Sequence, residues 1–130
     1  MTAARRELFP ILACRDLPRT RDFYIAVLGG AEAYRFPEDG EPVYLTLTVG
    51  VSTIGLSDGS GTTAYGLAAL PSTGHPVDLC VYVDDLDAVL GLAAAHGGAL
   101  VADAEDMPWG ERVGWIRDPE GIHILVIQGD

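Results

Sequence analysis

Two periodicities organise the chain. Short runs alternate apolar and polar residues with period two, and two longer runs place apolar residues at helical spacing. Residues 9–17 are apolar enough for a strand through Pro10, Ile11, Leu12, Ala13 and Cys14. Asp16 then offers an N-cap, with Pro18 in the first turn. Leu17, Phe23, Tyr24, Val27 and Leu28 follow at helical spacing, and Gly29-Gly30 ends the helix. A short strand at 31–36 precedes the turn Pro37-Glu38-Asp39-Gly40. In 43–49, Val43, Leu45, Leu47 and Val49 take one face and Tyr44, Thr46 and Thr48 the other. Gly50 turns the chain into a further strand at 51–57, so this half reads β-α-β-β-β.

The second half repeats the order. In 78–83, Leu79, Val81 and Val83 share one face, and Asp78, Cys80 and Tyr82 the other. Asp85-Leu86 starts a helix as Asp16-Leu17 does, with Leu86, Val89, Leu90 and Ala93 along its buried stripe. Gly97-Gly98 ends it, and strands are expected at 99–104, 111–117 and 122–128. Between the last two, Pro119 and Gly121 take the second and fourth places of a type I turn. The reading is one α+β domain of two βαβββ modules, residues 1–57 and 77–130. The Gly-, Ser- and Thr-rich stretch 58–76 is the linker. Each module leaves one sheet face without a helix. Curving the two free faces together makes a shared concave mixed sheet, with helices on the outer face. Function is to be sought on the face away from the helices.

Composition narrows the function classes. The 130 residues are 48% hydrophobic, enough for a real interior in one domain. A net charge of -11 repels nucleic acid and anionic membrane and favours cationic ligands; simple solubility is the competing explanation. No apolar run reaches the roughly 18 residues of a membrane span. The N-terminus lacks the apolar core of a secretory signal, so a cytoplasmic protein is expected. Cys14 and Cys80 have no metal-type spacing and fall on opposite faces, which argues against a disulfide.

Two segments carry a family resemblance: RDLPRTRDFYIAVLGG, residues 15–30, and PWGERVGWIRDPEGI, residues 108–122. They resemble the opening strand-to-helix and closing signatures of the vicinal oxygen chelate superfamily, which includes glyoxalase I, extradiol dioxygenases and bleomycin resistance proteins. The resemblance implies a metal-ligand position on the first and last strand of each module, usually His or Glu. Here those positions hold Phe9, Gly55, Asp78 and Leu125, and three of the four carry no donor. That departure resembles the metal-free, bleomycin resistance-like branch, whose members sequester a cationic, partly aromatic antibiotic in a groove shaped by a homodimer. A homodimer and a small organic ligand are therefore expected, with no cofactor, no metal and no catalytic residue. The rival is a metal-dependent lyase, isomerase or dioxygenase with an atypical site at Asp78 and His123.

The expected ligand-binding residues are Phe9, Phe36, Tyr44, Asp78, Tyr82, Trp109, Trp115, His123 and Leu125. Phe9 and Leu125, with Gly55, give an apolar floor. The resemblance puts Phe36 and Trp109 at the ligand groove, whereas a strand-end plug and a loop-packing indole are their structural alternatives. Trp115 shares a face with Val113 and Arg117, and Tyr44 and Tyr82 lie on non-helix faces. A stacked ring contributes about 0.5–1.5 kcal/mol, so two or three with burial approach micromolar binding, near -8 kcal/mol. Asp78 is the expected partner for a ligand cation, or else a carboxylate bonded locally at the strand start. His123 is a rim histidine or a base, His96 a helix C-terminal dipole partner, and His75 a linker residue.

Overall fold

Capping and glycine stops fix the helices where the periodicity places them. In a computed structural model of the chain, residues 8–58 and 77–129 are described. The first module contains β1 (Ile11–Ala13), α1 (Leu17–Leu28), β2 (Ala31–Phe36), β3 (Tyr44–Val49) and β4 (Ser52–Ser57). The second contains β5 (Leu79–Val83), α2 (Leu86–Ala93), a 3-10 turn (Ala94–His96), β6 (Ala99–Asp106), β7 (Arg112–Arg117) and β8 (His123–Gln128). Asp16 Oδ1 accepts from the Arg19 N–H and Asp85 Oδ1 from the Ala88 N–H, each at 3.1 Å. Gly29 and Gly97 stop the helical segments in the left-handed region, at φ 71° and 91°. The first strand is shorter than expected, because Cys14 turns inward to the core and Asp16 already caps α1. The linker lies almost wholly outside the described residues.

The two modules form separate four-stranded mixed sheets with the same order, β1-β4-β3-β2 and β5-β8-β7-β6. Each pairs its first and last strands in parallel and its other neighbours antiparallel. The α+β architecture and the repeat read from the sequence are both present. On one side of each sheet, residues from both modules merge into one core. Leu45, Leu47, Ile54 and Leu56 from the first sheet join Ile116, Ile124 and Val126 from the second, around Phe23, Tyr24, Leu86 and Leu90. Helices α1 and α2 pack against each other inside this core.

Gly98 shows how closely the modules approach. A Cβ there would meet the Arg117 carbonyl oxygen and stand 2.6 Å from the Phe23 ring. Only a residue without a side chain lets an α1 phenylalanine reach the β6–β7 backbone. Because the core consumes the helix side of both sheets, their other faces stay open.

Candidate functional site

Strand register assigns the open faces. On the first sheet, Tyr44 pairs with Phe36 and Ser57, and Thr46 with Tyr34 and Gly55. Gly55 in turn pairs with Ile11 on β1. Tyr34, Phe36, Tyr44 and Ile11 therefore share the face opposite the core. The Tyr34 and Tyr44 rings lie 6.1 Å apart. Phe9, two residues before Ile11, continues this row and is half-buried. Phe36 is 57% exposed.

On the second sheet, Leu125 pairs with Cys80 and Trp115, Ile127 with Tyr82 and Val113, and His123 with Arg117. These side chains share the open face. Trp115 and His123 are half-buried, with ring centroids 6.4 Å apart in an edge arrangement. Asp78 stands exposed just before β5. Tyr82 and Trp109 are 64% and 67% exposed. The nine residues expected from the sequence thus divide: Phe9, Phe36 and Tyr44 go with the first sheet, and Asp78, Tyr82, Trp109, Trp115, His123 and Leu125 with the second.

Sequence reasoning missed Glu111. It precedes β7, two residues before Val113, and its carboxylate is a shared acceptor. Trp109 Nε1 donates to Oε1 at 2.9 Å and the Tyr82 hydroxyl donates to Oε2 at 3.3 Å. The charge of Glu111 raises the Tyr82 phenol above its ordinary pKa. Burial, with the same carboxylate, raises the exposed Cys80 thiol too. Cys14 lies in the core, and burial pushes its thiol up to about 12. Neither cysteine is an activated nucleophile, and both are free.

The four positions where the resemblance puts metal ligands do not fit a divalent ion. Phe9 and Leu125 have no donor, and Asp78 is a single exposed carboxylate. At Gly55 a Cβ would meet Ile11 Cγ1 at 3.0 Å and the Tyr44 hydroxyl at 3.2 Å, so a neighbouring phenol covers this place. Among the described residues no three His, Cys, Asp or Glu side chains gather to hold a metal.

The opening signature meets the end of the closing one just beyond β7, in a junction the sequence had not suggested. Tyr24 donates its hydroxyl to Asp118 Oδ2 at 2.8 Å, and the Glu120 and Ile122 N–H groups donate to Asp118 Oδ1 at 2.9 Å. Asp118 is 2% exposed. Burial raises its pKa, with the hydrogen bonds working against that rise. Burial and then the Asp118 charge hold the Tyr24 phenol well above its ordinary range.

Glu120 reaches back to the start of α1. It accepts from the Asp16 N–H at 2.9 Å, Arg15 Nε at 3.2 Å and Thr20 Oγ1 at 3.3 Å. Burial pushes its carboxyl up, but the Arg15 and Asp16 hydrogen bonds and the Arg15 charge outweigh this and lower it. Gln128 does the equivalent for α2, accepting from the Leu86 N–H at 2.8 Å and donating to the Asp84 carbonyl. The end of the closing signature, Asp118 to Ile122, thus joins the modules, while its earlier part, Trp109 to Trp115, lies on or beside the open face of the second sheet. The expected turn at Asp118-Pro119-Glu120-Gly121 is present, with the Gly121 N–H bonded to the Asp118 carbonyl at 3.0 Å.

Comparisons with known proteins agree with this architecture. An uncharacterised protein of Mycobacterium bovis is 32% identical over 119 residues, covering 89% of this chain and 78% of the relative. An uncharacterised Mycobacterium tuberculosis protein matches at the same identity, over 89% of this chain and 70% of its own. Among solved structures, TioX from Micromonospora sp. ML1 superposes with a TM-score of 0.76 at 23% identity, covering 95% of this chain and 98% of that one. Lactoylglutathione lyase from Agrobacterium tumefaciens gives a TM-score of 0.67 at 21% identity, covering 98% and 96%. Both share the fold. The model of the Glyoxalase/Bleomycin resistance protein/Dioxygenase superfamily matches residues 8–126, and the chain belongs to that superfamily.

Proposed function

We propose that this protein binds a small organic molecule on its open sheet faces and holds it without chemical conversion, as in antibiotic sequestration. One observation carries the reading: exposed aromatic rings stand on or beside the open sheet faces that carry Phe9, Gly55 and Leu125, three donor-free residues at positions where a metal enzyme of this fold would present chelating side chains. Phe36, Tyr82 and Trp109 are each more than half exposed. Rings held in solvent by register and hydrogen bonds offer stacking area at little further conformational cost.

A homodimer completes the site in this proposal. Leu8, Ile11, Tyr34 and Phe36 are exposed on or beside the first sheet, and Tyr82 and Trp109 on or beside the second. A two-fold operation that sets one copy's first sheet against its partner's second would cover both sets twice. The described part of the chain has no helix long and apolar enough to cross a membrane.

Tryptophan fluorescence and thermal shift against a panel of neutral and cationic aromatic compounds, with sedimentation equilibrium, test the reading. The expected result is a stoichiometric dimer with a ligand in the micromolar range, near -8 kcal/mol, recovered unchanged after incubation. Absence of quenching or stabilisation below millimolar concentration overturns it. So does stoichiometric binding of Ni, Zn, Mn or Fe that Asp78→Ala or His123→Ala abolishes.

A further inference from the structure

The loop joining β6 to β7 is built around one carboxylate. The Met107 N–H bonds to the Glu111 carbonyl at 2.7 Å and the Gly110 N–H to the Met107 carbonyl at 3.0 Å. This small closed turn presents Trp109 to solvent. Glu111 then fixes two rings at once, receiving the Trp109 indole N–H on one oxygen and the Tyr82 hydroxyl on the other. Both donors are neutral, so neither cancels the carboxylate charge. Each oxygen keeps a further lone pair.

Among the described residues, the ion pairs of the arginines all go elsewhere. All eight basic residues of the chain, apart from the three histidines, are arginines, against 19 acidic residues. The adjacent Arg112 turns to the other face, where it pairs with Asp87 at 3.6 Å and Asp106 at 3.5 Å. Among the described residues, no arginine pairs with Glu111. A negative group flanked by exposed rings attracts one kind of partner strongly. A cation with apolar substituents meets the carboxylate charge and the negative faces of the indole and phenol together. A neutral ligand gains only the rings, and an anion is repelled.

We propose that Glu111, Tyr82 and Trp109 form a recognition site for an organic cation, of the quaternary ammonium or alkylated amine class. The inference rests on the ligand-binding reading above and deepens it. It moves the charge partner from Asp78, which sits two residues before Cys80 at the start of β5, to Glu111 between the rings.

Choline and 3,3-dimethylbutan-1-ol are the probes, since they share a shape and differ in charge. Binding to the full chain is read by calorimetry and by the indole N–H resonance of Trp109. Choline should bind at least about tenfold more tightly than the alcohol, a difference of about 1.4 kcal/mol. Glu111→Gln keeps one of the two acceptor oxygens and removes the charge, so it should bring the two probes to parity with an unchanged unfolding midpoint. Asp78→Asn should leave the preference intact. If Glu111→Gln perturbs folding, Glu111→Asp, which keeps the charge, must retain the preference for choline. Equal binding of the two probes by the wild type overturns the proposal, as does a preference that survives Glu111→Gln. Binding of neutral aromatic compounds without choline sinks this inference and leaves the ligand-binding reading standing. Failure of every compound sinks both.

Discussion

Two tyrosine–carboxylate pairs sit at opposite ends of β7, and the same hydrogen bond serves different purposes in each. Tyr24 and Asp118 are both buried, and two backbone N–H groups complete the Asp118 carboxylate. Tyr82 and Glu111 form their bond at the surface, beside an exposed indole. At the buried pair, each lost partner leaves a polar group that water cannot reach, so the bond specifies how the modules dock. At the exposed pair, water replaces any lost partner. That bond adds little to stability and instead orients rings and charge toward solvent. Environment, rather than residue type, separates a structural junction from a recognition surface.

The largest break in this comparison is Asp118→Ala. It orphans the Tyr24 hydroxyl and two backbone donors, and three lost bonds should cost about 3 kcal/mol in a urea titration. Gly98→Ala comes next. Its methyl would press on the Arg117 carbonyl and the Phe23 ring, and overpacking of this kind should cost about 2 kcal/mol in the same measurement. Tyr24→Phe should lose about 1 kcal/mol, whereas Tyr82→Phe should leave the unfolding midpoint unchanged while altering the Trp109 indole resonance. Equal destabilisation by the two tyrosine variants would dissolve the contrast.

The subtlest effect is in pH. Glu120 has a folded pKa below its ordinary 4.5, so its contribution is complete above that value and is lost as pH falls through the folded one. Asp118 has the opposite sign. Its folded pKa lies above the ordinary 3.8, so its relative benefit is complete below that value and is lost as pH rises through the folded one. Glu120→Gln should therefore flatten the loss of urea stability on the acid side of pH 4.5. An undiminished acid loss would show that Glu120 is not its source.

Local signals carried much of the fold. Asp16 and Asp85 cap the helices they precede, Gly29 and Gly97 stop the helical segments, and the alternation in 43–49 puts Leu45 and Leu47 in the core. Trp115 lies on the face expected for it, with Val113 and Arg117, and Cys80 opposite the buried Cys14. The site was less legible. Glu111 reads in sequence as one more acidic residue at a strand start, and nothing local says that Tyr82, 29 positions earlier, will donate to it. The turn Asp118-Pro119-Glu120-Gly121 likewise reads as a turn and nothing more, because its partners Tyr24 and Asp16 lie 94 and 104 positions away.

The sequence by itself determined the elements, the order in which they repeat and the superfamily, since caps, glycine stops and hydrophobic period act within a few residues. The tertiary structure alone decided that the closing turn caps the opening helix, that both cores merge into one, and that a carboxylate comes to rest between two exposed rings. Those outcomes depend on strand register and on how two modules dock. Both join residues far apart in the chain, and no local pattern records such distances.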